Sequence, residues 1–267
     1  MVIKSVSCLS LILGMVLPIT ASLASVPSPV KNRVNSPMQI SLEFPPAPKG
    51  EGPVSTAGGG TRSPECKISD IPMTALVPSK NTSTVSANPT FFVYIPEITF
   101  PQSGVALGEF VLVNNRGKDV YLTTIQLPLD GSIVQIALPK TVALEVGKQY
   151  KWLFSMKCQS SNPNSTDSNN LESLPNVASL EVYIQRNKLT PTLERELEKT
   201  QDPLKKAEIY VRENLWQDTL MIMAQLRDSQ QEEWKSLLNS IKIEESIIEA
   251  PFAPEPTVSN SDEQSAQ

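Results

Sequence analysis

Between Cys66 and Arg186 short runs rich in Val, Ile, Tyr, Phe and Thr recur at nearly regular spacing, separated by Pro, Gly and Asn. Trp152, Phe154, Met156 and Cys158 alternate with Lys151, Leu153, Ser155 and Lys157, and Leu180, Val182 and Ile184 alternate with Glu181, Tyr183 and Gln185. A period of two puts one set of side chains on a dry face and the other on a wet one. The pattern predicts strands over Met73–Val77, Thr90–Ile95, Glu109–Asn114, Asp119–Gln126, Ser132–Leu138, Gln149–Cys158 and Ser179–Arg186, with Asn115, Arg116 and Gly117 forming a hairpin turn. Strands that each carry one apolar face bury it by stacking two antiparallel sheets. The expected fold is an immunoglobulin-like antiparallel β-sandwich over residues 65–188, mainly β with α following it. Ser, Asn, Asp and Thr between Gln159 and Asn176 make one long loop within it.

From Thr190 the period lengthens. Thr190 before Pro191 and Asp202 before Pro203 each pair an N-cap with Pro at the first helical position. Leu193 with Leu197, then Leu204, Ala207, Tyr210 and Val211, then Leu220, Met223 and Leu226, then Trp234, Leu237, Leu238 and Ile241 recur at helical spacing. Residues 189–248 are therefore expected to hold three or four short helices packed as a small hairpin or bundle.

The flanks read differently. Lys4, the apolar run Val6–Ile19 and the small residues up to Ala24 have the three parts of a secretory leader, predicting a signal peptide over residues 1–24 with cleavage between Ala24 and Ser25. The apolar run is too short, and too interrupted by Gly14 and Pro18, for a membrane anchor, and no transmembrane segment is expected in the mature chain. Residues 25–64 are dense in Pro and Gly, including the Gly58–Gly60 triplet, and read as a disordered linker. Residues 249–267 read as a disordered acidic tail.

Composition excludes much chemistry. There is no histidine, which removes Ser-His-Asp and Cys-His catalysis and nearly all zinc and haem ligation. No metal or cofactor is expected. Of 23 basic and 28 acidic residues, Lys4 lies in the leader and six carboxylates follow Ile243 with no base, so the body between is balanced. A balanced body gives no footprint for phosphate backbones, and nucleic acid is not an expected partner. Once the leader and its Cys8 are gone, two cysteines remain, Cys66 and Cys158. An even count in an oxidising compartment points to a disulfide between them.

The order of segments resembles a family of secreted cyanobacterial proteins, the domain of unknown function 928. The stretches that carry the resemblance are Gly58–Arg62 with Cys66, Met73–Pro78, Asn88–Pro96, Glu109–Pro128, Leu144–Cys158, Tyr183–Arg186 and Leu215–Arg227. The resemblance implies an envelope location and a sandwich followed by helices, and brings no catalytic residues with it. The helical part also loosely resembles one tetratricopeptide unit through Ala207, Tyr210 and Leu226, although Thr219, Met223 and Gln231 depart from that pattern. One unit cannot form a solenoid, so a single hairpin docked on the sandwich is the economical reading.

Two functions fit these features. The first is an exported, non-catalytic envelope module, periplasmic or extracellular, that contacts a protein or an envelope polysaccharide. Trp216 and Tyr183 are its candidate interface anchors, since large aromatic side chains dominate binding energy; the alternative is that Trp216 packs on the sandwich and a helix covers Tyr183. The second is a carbohydrate-active enzyme working without histidine through paired carboxylates, drawn from Glu97, Glu109, Asp119, Asp130 and Glu145.

Overall fold

The computed structural model describes residues 42–56, 66–160, 174 and 176–254. One sheet runs β1 (Val54–Ser55), β3 (Thr74–Ala75), β5 (Thr90–Thr99), β2 (Lys67–Ile68), with β8 (Asp130–Ala137) also paired to β5. The other runs β4 (Asn81–Thr84), β10 (Asn176–Arg186), β9 (Gln149–Ser160), β6 (Gly104–Asn114), β7 (Asp119–Gln126). Setting β5 and β8 in one sheet against β10, β9, β6 and β7 in the other is the immunoglobulin-like partition of strands. The second sheet is mixed, not wholly antiparallel, because β4 pairs with β10 in parallel.

Asn114 starts the hairpin turn by accepting the Arg116 and Lys118 amides on its side-chain oxygen. Gly117, at φ +76, then supplies the left-handed residue that the turn needs. Between the sheets, Phe91 of β5 meets Phe110 and Trp152 of the facing sheet with ring centres 4.9 and 5.3 Å apart. Gly108 of β6 sits so near Phe154 and Leu127 that a Cβ there would come within 2.8 Å of both.

The strand β5 is buried on both faces from Thr90 to Pro96, unlike a strand with a single apolar face. Its run of Phe, Phe, Val, Tyr, Ile is continuous, which is the pattern of a strand covered twice. The second cover is helical. Five helices follow the sandwich: α1 (Pro191–Lys199), α2 (Pro203–Arg212), α3 (Trp216–Leu226), α4 (Gln231–Ser240) and α5 (Glu245–Glu249). Thr190 caps α1 by accepting the Leu193 amide, and Asp202 caps α2 by accepting that of Leu204. The α2–α3 hairpin docks through α3, where Gln217 donates its side-chain amide to the Thr90 carbonyl at 2.7 Å. No helix among the described residues is long and apolar enough to cross a membrane.

Both flanks contribute to the fold, which corrects the boundaries of linker and tail. Leu42 and Phe44 are buried, Phe44 donates its amide to the Ser240 hydroxyl, and Val54 pairs with Ala75. Residues 42–56 are thus a strap across the body, held because two large apolar side chains outweigh the prolines around them. At the other end, the Ile133 amide donates to the Pro251 carbonyl and the Ala253 amide donates to the Ile133 carbonyl, at 2.8 and 2.9 Å. Phe252 packs against Trp234 and Phe92, and the Arg227 guanidinium lies over its ring. The chain is therefore part of the body as far as Pro254. The proposed cleavage point at Ala24 and Ser25, the Gly58–Gly60 triplet, and residues 161–173 of the long loop lie outside the described residues.

Candidate interaction site

Cys66 and Cys158 are bonded, with Cα atoms 6.1 Å apart. The bond joins the lead-in to β2 with β9 of the opposite sheet, so it ties the two layers together. Trp216 is not a surface anchor, and that assignment is corrected: it is 1% exposed, its indole N–H donates to the Leu76 carbonyl at 2.8 Å, and Phe44 packs edge-on against it. An indole at the first turn of a helix that docks on a sheet is the natural filler of that seam. Tyr183 is half-buried on the outer face of β10, with Lys80 over its ring and its hydroxyl donating to Glu181.

Of the five candidate carboxylates the fold brings two side by side on an exposed ladder end and disperses the other three. Glu97 and Asp130 face each other across the β5–β8 ladder and are both exposed. Glu109 pairs with the buried Lys157 ammonium at 3.2 Å. Asp119 and Glu145 sit exposed at the start of β7 and in the β8–β9 connection. None of the five lines either of the clefts described below.

Where the sheets part, between β7 and β8, lies an apolar cleft of about 370 Å³. The buried Ile125 and Ile136 line it, with Tyr121 of β7, Met221 and Gln225 of α3, and Ala253 of the terminal segment. Met221, 38% exposed, is one of the larger apolar side chains left in water. The β8 edge beside it is open over part of its length. Ile133 turns its amide and carbonyl away from β5 toward Pro251 and Ala253. Alternation along an antiparallel strand therefore turns those of Gln135 and Ala137 the same way, and both residues line the cleft. Among the described residues no hydrogen bond reaches them on that side. Sequence reasoning missed this site because its lining is drawn from five segments spread between Thr90 and Ala253; the continuous apolar run of β5, which announces a second cover, was the available signal.

Behind Met221 a smaller cavity of about 150 Å³ is lined by Thr84, Tyr210, Gln217 and Asp218. Loss of water raises the Asp218 carboxyl to a pKa of about 6, against the pull of the Val85 amide, which donates to it at 3.0 Å, and of the Thr84 hydroxyl. The same burial, with Asp218 nearby, raises the Tyr210 phenol. A carboxyl raised in the fold keeps a proton that the unfolded chain has already released, so its contribution is full below about pH 4 and is lost as pH rises through 6. The lift from 3.8 corresponds to about 3 kcal/mol. Asp218→Asn, which still accepts the Val85 amide, should flatten the decline in unfolding free energy between pH 4 and 7. Parallel urea-unfolding profiles for variant and parent across that range would rule the assignment out.

The model of the family described as Domain of Unknown Function (DUF928) matches residues 57–252. The chain belongs to that family. The DUF928 span covers nine of the ten strands named above and all five helices, and it ends on Phe252, the residue seated against β8. The strap over residues 42–56 precedes it. No curated protein matches the chain.

Proposed function

We propose that this DUF928 protein is an exported, non-catalytic module of a cyanobacterial envelope, and that it binds an extended segment of a partner protein along the β8 edge. Export is supported by the leader pattern of residues 1–24 and by a disulfide between the two cysteines that survive its removal. The observation that carries the binding reading is the open edge at Gln135 and Ala137 beside the apolar cleft. Peptides that add a strand to a sheet gain affinity from backbone hydrogen bonds and specificity from a side-chain pocket, and both lie here side by side. The chain already uses this mode once, since Pro251–Ala253 lies parallel to β8 at Ile133.

A photo-crosslinking residue placed at exposed Ala137 of the exported full chain tests the idea. One discrete partner protein should be captured, and none from the same residue placed at exposed Asn115 in the β6–β7 turn, which lines no part of the cleft. Gln135→Pro deletes the outward amide without breaking a ladder bond. It should leave the melting temperature nearly unchanged and cut the capture about tenfold. Crosslinks confined to the chain's own residues 255–267, or no defined product, would overturn the proposal.

A further inference from the structure

A second cleft, lined by β4, β9, β10 and the strap, has the opposite chemistry. Its volume is about 600 Å³, and the strap residues Phe44–Pro48 form one wall. Five amide side chains line it: Asn81, Gln149, Gln185, Asn187 and Asn214. None of these five side chains makes a hydrogen bond within the described structure. No lysine or arginine lines it, and Glu51 is its one charged residue.

The sheet sets the spacing of these groups. Gln149 of β9 stands opposite Gln185 of β10, and Gln185 stands opposite Ser83 of β4. Residues in register on adjacent strands share a face at about 5 Å intervals, so the three polar side chains form a straight row across the sheet. Tyr183, two residues before Gln185 on β10, lies on that same face one row away. Pro45, Pro46 and Pro48 add rigid apolar surface to the cleft.

We propose that this face is a binding site for a neutral oligosaccharide. A sugar hydroxyl both donates and accepts, as do a primary amide and a serine hydroxyl, so the row of two glutamines and a serine answers successive hydroxyls along a flat, β-linked chain, with Asn81, Asn187 and Asn214 lining the same cleft. An anionic polymer would find no counter-charge among the lining residues. A peptide would leave the amides' donors and acceptors imperfectly matched, whereas at the β8 edge it finds a free backbone ladder. The site is independent of the protein-binding reading and uses none of its residues.

Titration of the purified mature protein with cellohexaose and with chitohexaose, followed by calorimetry and by the side-chain amide NMR signals, tests the assignment. At least one of the two should bind and shift the Gln149, Gln185 and Asn187 amide signals. Gln185→Ala and Gln149→Ala should each weaken binding about tenfold, the effect of one or two lost hydrogen bonds. Both side chains are exposed, so the melting temperature should not move. Arg116→Ala, an exposed side chain of the β6–β7 turn that lines neither cleft, should leave saccharide binding unchanged. Failure of both saccharides to bind, or binding that neither glutamine variant weakens, would overturn the proposal.

Discussion

Removing the Cys66–Cys158 bond should lower the unfolding free energy by about 4 to 5 kcal/mol, the largest loss expected from any local change in this protein. The bond closes a loop across 92 positions of sequence, and in the chain-entropy account a closure of that length restricts the unfolded state by about that amount. Both cysteines are essentially without exposure in the fold, so Cys66→Ala with Cys158→Ala leaves no buried polar group behind. The change therefore reports mainly on the lost constraint. The measurement is the urea-unfolding free energy of the double variant against the oxidised parent, with thiol labelling of the unreduced, denatured mature parent as the companion test. Labelling should find no free thiol. A loss below about 1 kcal/mol would mean that residual denatured structure already holds the two positions together.

The strands were legible because alternation is a local property that survives any tertiary arrangement. Asp119–Gln126 is one strand at those bounds, and the other long strands differ from expectation by a few residues at their ends. The three strands that went unread, β1, β2 and β4, are two to four residues long. Each is a strand only because a distant partner lies beside it, as β4 lies beside β10, so no window of sequence contains the cause. The strap and the tail failed for another reason. Averaging over a Pro-rich stretch hides single residues, and Leu42, Phe44 and Phe252 each fill a specific gap in the body. The sites were the least legible part. The polar row is assembled from β4, β9 and β10, and the apolar cleft from β5, β7, β8, α3 and the terminal segment. A glutamine at 149 or 185 is an ordinary surface residue until register aligns it with the next.

Trp216→Ala should cost about 4 kcal/mol of stability, and Tyr183→Ala less than about 1 kcal/mol. The two side chains look equivalent in a list of large aromatics, and their surroundings make them opposites. Trp216 fills the seam between the first turn of α3 and the sandwich, touches Phe44 at a centroid distance of 4.9 Å, and satisfies the Leu76 carbonyl. Truncating a buried indole forfeits its burial and leaves a cavity, which together typically cost 3 to 5 kcal/mol. The loss should also loosen the strap, because Phe44 would lose its edge-on ring contact with Trp216 while keeping its amide bond to Ser240. Trp216→Phe separates the contributions: it retains most of the apolar area and removes the indole donor, so about 1 to 2 kcal/mol should be lost. Tyr183 touches Lys80 and Glu181 on an open face, where such contacts contribute little in water. Urea-unfolding midpoints of the three variants decide the matter, and amide hydrogen exchange at Phe44 reports the strap directly. Near-native stability of Trp216→Ala would mean that α3 docks without its indole, and the seam would have to be held by Gln217 and the strap alone.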